Sequence, residues 1–597
     1  MTLQRVSFGD RPSIHLGIFT YKFPLSFMGF HMSCQNFFSL KKSLQNLTIL
    51  GLGMGLGIFN PFSLAPSLRA AEKIDFIYSP LGESLKIQSL EAFAADGTVT
   101  SDLQFYLDIV DASESEKELL RTALTRKVVI DPVLLSRVLK TDEGERLLES
   151  FGQIVKIKGG RSAKFALRGA IVRSAFEEEG LTLLNVLQNL QVNIRVDLAA
   201  LATFANSVSV IVEGTERFVQ EVQQLSQQEA SNFNFINYAQ RPDLRRQNTD
   251  AIKHQTWFLK DDSRNRQFYA SIYQPQQPVG SKIPVVVISH GLASEPAEKS
   301  KLAKHLASYG FFVVMPQHPG SDRLYLESFI TSFRRELSDL EEFINRPLDI
   351  SFTLDELERR NAAEFAGRLD LDNVGIYGHS YGGYTALAVA GATPVPNYEA
   401  LKKDCEAEWG IFNNALLLQC RALQLEPQTF DFRDERIQSV VAANPVNASI
   451  LGEAALNNVK IPTAIIAGSY DPATPFIFEQ VRSFPWISAP NKYLILEEGQ
   501  THIDISRLDL GISRLLDRIP SLNLPSPELL NNYSEAIALS FFQVYAAKNS
   551  QYSFYLNPAY TSYLSEGQEF KTFMITQDSL GELEAAIAKF KADHQLE

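Results

Sequence analysis

The chain has 597 residues, of which 45% are hydrophobic and 21% charged. That is ordinary globular composition, and the length points to two or more domains. A net charge of −13 argues against nucleic acid as a partner, and an acidic surface of this kind serves solubility.

The first informative segment lies near the N-terminus. Lys41 and Lys42 precede an apolar run from Leu47 to Phe59, and small residues follow around Ala65-Pro66-Ser67 and Ala70-Ala71. A basic flank, a short apolar core and a small-residue exit make the pattern of a secretory signal peptide. Residues 1–71 are therefore expected to be an N-terminal extension and signal, and the mature chain to be exported, periplasmic or secreted. The run is short for a membrane span, and a membrane anchor left uncleaved is the alternative. The late onset leaves a start at Met32 open. Of the three cysteines, Cys34 precedes the apolar run and would leave with it. Cys405 and Cys420 remain, an even number suited to an oxidising compartment. A bridge between them and a pair of buried free thiols are the two readings.

Residues 72–195 read as an all-helical domain. Ser101 to Val110 and Ser113 to Thr125 carry apolar residues at helical spacing, Gly97 is placed to end the helix before them, and Asp131-Pro132 opens another. No cluster of His, Cys or paired carboxylates with catalytic spacing occurs here, so the segment reads as a packing or partner-binding module. Residues 196–249 read as a connector, a long helix over Ala199 to Gln228 followed by a polar linker.

The hydrophobic period then changes. His254 to Leu259 and Gln267 to Tyr273 alternate like two antiparallel strands with Asp261-Asp262-Ser263 between them. Pro284 to Ser289 and Phe311 to Met315 are continuous apolar runs, as expected of parallel strands buried on both faces. Further strands are predicted at Val374 to Tyr377, Ile437 to Ala443, Thr463 to Ala467 and Tyr493 to Leu496, with helical stretches between them. This alternation over residues 250–525 predicts an α/β fold, an open, mostly parallel sheet with helices on both faces. An insertion at 394–436 carries both remaining cysteines. Residues 526–597 read as a C-terminal helical tail.

One stretch carries the chemistry. The strand at Val374 breaks at Gly378-His379-Ser380-Tyr381-Gly382, and an apolar small-residue helix follows at once. This is G-x-S-x-G between strand and helix, where the serine sits on a strained turn with its hydroxyl exposed. A serine hydroxyl needs a base in reach, and the base needs an orienting acid. Among histidines after Ser380, His502 lies just beyond the strand at Tyr493, whereas His594 is in the tail. Asp471, after the strand at Thr463, is the candidate acid. The backbone N–H groups of Tyr381 and Leu292 are the candidate oxyanion donors, with Gly291 allowing close approach. His290, His379 and His318 are expected to shape the site. No C-x-x-C, H-E-x-x-H or phosphate-cradling glycine loop appears, so no metal or nucleotide cofactor is implied.

In these residues the chain resembles the α/β-hydrolase superfamily: VVVISHGLAS, GHSYGG, GSYDPATP and the late His502 match it in order and spacing. Within it, SHGL followed by a helix and YGFFVVMPQHPGSD resembles the platelet-activating-factor acetylhydrolase and dienelactone-hydrolase branch. In the animal acetylhydrolases the acid follows the strand directly after the nucleophile helix. Here that place reads Asn444-Pro445-Val446-Asn447, which moves the acid to the next strand, at Asp471. Residues from about 72 to 195 are similar to a helical domain of unknown function found ahead of some bacterial secreted hydrolases. The resemblance implies a secreted serine esterase or lipase, acting on a small-molecule ester or a lipid, free or at a membrane surface, with the helical domain open to an unidentified partner. A peptidase on the same machinery and a hydrolase fold used only for binding are the alternatives.

Overall fold

The computed structural model describes residues 71–596 apart from 79–80, 129, 249–250, 278–279, 332–333, 335, 408–409, 411 and 503–523. The expected signal segment lies outside the described residues.

The centre of the molecule is a nine-stranded sheet. Its strands are β5 (Ile252–Asp261), β6 (Arg266–Pro275), β7 (Ile283–Ser289), β8 (Phe312–Pro316), β9 (Leu369–His379), β10 (Ile437–Ala443), β11 (Thr463–Gly468), β12 (Lys492–Glu497) and β13 (Thr572–Thr576). The spatial order is β13-β12-β11-β10-β9-β7-β8-β6-β5. The pairings from β8 through β7, β9, β10 and β11 to β12 are parallel, and β5, β6 and β13 join antiparallel at the edges. The unbroken apolar runs are explained by burial on two faces. In β7, Val285 and Val287 point into one core cluster while Val286 and Ile288 point into the other. The helices Glu342–Phe365, Tyr381–Val389 and Ala448–Leu456 cover the first face, and Ser300–Ser308 and Pro527–Tyr545 cover the second.

After β7 the chain runs outward to β8 and then returns to lay β9 on the opposite side of β7. The strand order reverses at β7 and β9, and the crevice above their carboxyl ends is where ligands of such sheets bind.

Three parts differ from the sequence reading. The segment expected to be all-helical is mostly helix, from Ile87–Asp96 to Leu183–Gln188, but it also holds a small sheet. That sheet consists of β1 (Lys73–Tyr78), β2 (Leu81–Lys86), β3 (Val155–Ile157) and β4 (Ile194–Asp197), in the order β2-β1-β4-β3. Its key pairing joins Ile74 to Ile194, far apart in the chain, so no local periodicity announces it. The expected connector is a structural member of the central core. Its helix, Leu198–Asn232, buries Phe218, Val222 and Leu225 there. The same helix accepts the Met574 N–H at Ser226 Oγ (3.2 Å) and the Thr576 N–H at Glu229 Oε1 (3.0 Å). It is long and apolar enough to cross a membrane by composition alone, yet these contacts tie it to the sheet. The expected helical tail likewise completes the sheet, supplying the edge strand β13 and the helix Pro527–Tyr545. Cys405 and Cys420 are joined by a disulfide, their Cα atoms 5.9 Å apart, which settles the two readings in favour of the bridge.

Candidate active site

The site is assembled from four strand ends. Ser380 follows β9, and the loop His290-Gly291-Leu292 follows its neighbour β7. Asp471 follows β11, and His502 follows β12. Parallel strands deliver all four loops to one rim of the sheet.

Ser380 has φ 58° and ψ −120°, in the left-handed region that costs an L-residue of order 1–3 kcal/mol. The surroundings hold it there. Its N–H donates to Ala443 O at 2.9 Å, and its carbonyl accepts from the Gly383 N–H at 2.8 Å. The flanking glycines are needed for clearance: a Cβ on Gly378 would lie 1.9 Å from Gly382 O, and one on Gly382 would lie 2.1 Å from Ser289 O. Gly291 brings the β7 loop against the serine, since a Cβ there would lie 3.2 Å from Ser380 Cβ.

Ser380, His502 and Asp471 stand in one hydrogen-bonded series. His502 Nε2 is 2.7 Å from Ser380 Oγ, and His502 Nδ1 is 2.7 Å from Asp471 Oδ2. Asp471 Oδ1 accepts from the Ala473 and Thr474 N–H groups at 2.8 and 2.9 Å, and Oδ2 accepts from Thr474 Oγ1 at 2.7 Å. Burial pushes the Asp471 carboxyl up, but the His502 charge and hydrogen bond and the Thr474 donors outweigh it and hold the group below the ordinary range. A buried, ionised carboxylate facing Nδ1 keeps the proton on that nitrogen and leaves Nε2 free to accept one from Ser380.

Two amides are the candidate oxyanion donors. Tyr381 is the first residue of its helix, so its N–H belongs to the unsatisfied first turn. Leu292 lies between Gly291 and Ala293, whose own N–H is engaged with Ser321 O at 2.7 Å. The three expected shaping histidines are each placed. His379 Nε2 donates to the His502 carbonyl at 3.1 Å, fixing the loop of the candidate base. His290 Nδ1 donates to Gly291 O at 2.8 Å, and its Nε2 accepts the His318 N–H at 3.1 Å. His318 Nδ1 is 2.9 Å from Asp349 Oδ2, with Ser289 Oγ 3.0 Å from Nε2. Burial, aided by neighbouring cations, lowers all three well below the ordinary histidine value, so they are neutral hydrogen-bonding parts. Ser289, His318 and Asp349 repeat the Ser-His-Asp order, but all are fully buried, so no substrate reaches them. Among the described residues, no group of three His, Cys, Asp or Glu side chains is placed to hold a metal ion.

Sequence reasoning missed Asn444, Thr474, Asp349 and Arg346. Thr474 was visible in the DPAT turn, where an Asp three residues earlier invites a side-chain-capped turn. Arg346 carried no motif.

Residues 70–197 match the family described as an alpha/beta hydrolase of unknown function (DUF1400). Residues 270–402, from β6 through the Ser380 turn, match the chlorophyllase family. Neither is the acetylhydrolase or dienelactone-hydrolase branch. No curated protein gives a significant match. By its sheet and by these two matches, the chain belongs to the α/β-hydrolase superfamily.

Proposed function

We propose that the chain is an exported serine hydrolase that cleaves carboxylic esters, with lipid or acetyl esters as the substrate class, through an acyl-enzyme on Ser380. The observation that carries this reading is the series of 2.7 Å contacts from Ser380 Oγ through His502 to Asp471. Ser380 Oγ attacks the ester carbonyl while His502 Nε2 takes its proton. The tetrahedral oxygen gains negative charge and is met by the Leu292 and Tyr381 N–H groups, each worth on the order of 10²–10³ in rate. His502 then returns the proton to the leaving alcohol. Water, activated by the same imidazole, releases the acid and restores Ser380.

The match to the chlorophyllase family supports an ester over an amide substrate. The disulfide supports an oxidising compartment, in agreement with the signal-like run from Leu47 to Phe59.

A fluorophosphonate probe tests the reading. The wild-type protein should be labelled once, at Ser380, and Ser380→Ala should not be labelled. Nitrophenyl acetate, butyrate and long-chain esters should turn over, and peptide anilides should not. A wild type that neither labels nor hydrolyses any ester would end the proposal.

A further inference from the structure

Arg346 lies on the helix Glu342–Phe365, is fully buried, and touches every part that carries an oxyanion donor. Its Nη2 donates to the His290 carbonyl and, at 3.3 Å, to Ser289 Oγ. Its Nη1 donates to Ser321 Oγ at 2.6 Å, and the Ser321 carbonyl accepts the Ala293 N–H at 2.7 Å. The loop is thus gripped on both sides of Gly291-Leu292. On the other wall, Nε donates to Thr385 Oγ1 at 3.0 Å, and that hydroxyl donates to the Tyr381 carbonyl at 3.0 Å. The guanidinium carbon also sits 4.6 Å from the centre of the Tyr381 ring.

We infer that Arg346 is a positioning residue that sets the spacing of the Leu292 and Tyr381 amides through one rigid guanidinium fork. The two donors come from different segments, one after β7 and one opening the helix after β9, and among the described residues no backbone hydrogen bond joins these two segments beyond the strand ends. A planar fork with several N–H groups in fixed directions suits that task, and a lysine ammonium does not. Arg346 shares a buried cluster with Glu342 and Asp349, which also meet Arg264 and Arg266. That cluster holds the other end of His318 through Asp349, so the loop rests on a buried polar base rather than on apolar packing alone.

The inference rests on the ester-hydrolase reading, and the experiment separates the two. Four proteins are compared: wild type, Arg346→Lys, Thr385→Val and Thr385→Ser. Active sites are counted by fluorophosphonate titration, so a partly unfolded preparation does not pass for a slow one. For Arg346→Lys, kcat per titrated serine should fall about 10–100-fold with KM little changed, the signature of an interaction made in the transition state. Thr385→Val should lose about 3–10-fold in kcat, whereas Thr385→Ser, which keeps the hydroxyl, should behave as wild type. A trifluoromethyl ketone supplies a second readout. It adds Ser380 Oγ to its carbonyl carbon, the serine proton passes to His502, and the resulting alkoxide occupies the oxyanion position. Its inhibition constant should rise in step with the loss of kcat/KM. A residue that only stabilises the fold would change the number of titrated sites and leave kcat per site and this constant alone. Values within twofold of wild type for Arg346→Lys and Thr385→Val would overturn the inference. If Arg346→Lys does not fold, the Thr385 pair decides it. An inert wild type would instead overturn the hydrolase reading, and this inference with it.

Discussion

Asn444 donates from Nδ2 to Asp471 Oδ2, the same oxygen that faces His502 Nδ1. Asn444 is the first residue after β10, at φ 45°, and is 1% exposed. There it braces Asp471, the candidate acid.

This arrangement gives two substitutions of different size. Asp471→Asn keeps the shape but removes the charge that holds the His502 proton on Nδ1, so kcat should fall on the order of 10⁴-fold. Asn444→Ala removes one of several hydrogen bonds to a carboxylate still held by Ala473 and Thr474. Its expected loss is about tenfold, corresponding to roughly 1.4 kcal/mol of transition-state stabilisation. Steady-state kinetics on a nitrophenyl ester checks both, and equal losses would contradict the division of labour.

The glycines around the serine make a second graded set. Gly382→Ala forces a methyl to within 2.1 Å of the Ser289 carbonyl, a backbone atom that cannot move without displacing β7. Soluble, folded protein is not expected from it. Gly291→Ala places its methyl 3.2 Å from Ser380 Cβ, a contact that a shift of a few tenths of an ångström relieves. That protein should fold with an unchanged circular-dichroism spectrum and lose about tenfold in kcat, because the loop carrying the Leu292 amide is pushed back from the serine. Normal activity in Gly291→Ala would argue against Leu292 as a donor.

Much of this geometry was legible in the chain, for reasons that also mark where legibility ends. PVVVIS and TAIIAG read as strands because burial on both faces leaves an unbroken apolar run. Ser380 was visible because its strained turn needs glycines at fixed offsets, and Asp471 and His502 because a parallel sheet sends its loops to one rim. The pairing of β1 with β4 was not legible, since it joins Ile74 to Ile194 and leaves no local period. The five residues of β13 are too few to show alternation within a tail that otherwise reads as helix. Arg346 reads as a solvated helix residue, because arginines usually are, and only the fold shows it closed in beneath the His290 loop.

His305 predicts how stability responds to acid. It lies on the helix Ser300–Ser308 with no exposed surface, and burial lowers it from the ordinary 6.5 to about 4. Lys301 adds to that lowering. Glu535 Oε2 lies 3.9 Å from His305 Nδ1, but burial raises that carboxyl, which weakens it as a counter-charge. Because the folded value is depressed, the unfolded chain takes up a proton first as pH falls below 6.5. Stability is therefore full above that pH and is lost as the pH falls toward 4. Between pH 6.5 and 5 the loss from this one group is on the order of 2 kcal/mol. Urea unfolding at pH 7, 6 and 5 should show wild type losing more stability than His305→Leu. Parallel pH curves for the two proteins would refute the assignment. Some decline should persist in the variant, since the neutral, buried His290, His318 and His379 carry the same sign.

The N-terminal domain is held to the catalytic half by a buried ion pair, and the pair can be weighed. Arg421, next to the bridged Cys420, places Nε 3.1 Å from Glu143 Oε1 and Nη1 2.7 Å from Ser338 Oγ. Gln424 adds a bond to Asp142 at 2.9 Å. Removing one partner of such a pair strands the other charge away from water and costs about 3–5 kcal/mol. Glu143→Ala should sit near the lower end, because Ser338 still accepts from the guanidinium and Glu336 lies 3.7 Å away. The double change Glu143→Met with Arg421→Met removes both charges and should cost far less than either single change. Neither residue touches Ser380, His502 or Asp471, so kcat per titrated serine should stay at the wild-type value in all of these proteins. Urea midpoints of the two single variants and the double variant test the energetic claim. A double variant as unstable as the sum of the singles would mean that the two residues act separately and that the contact between the domains lies elsewhere.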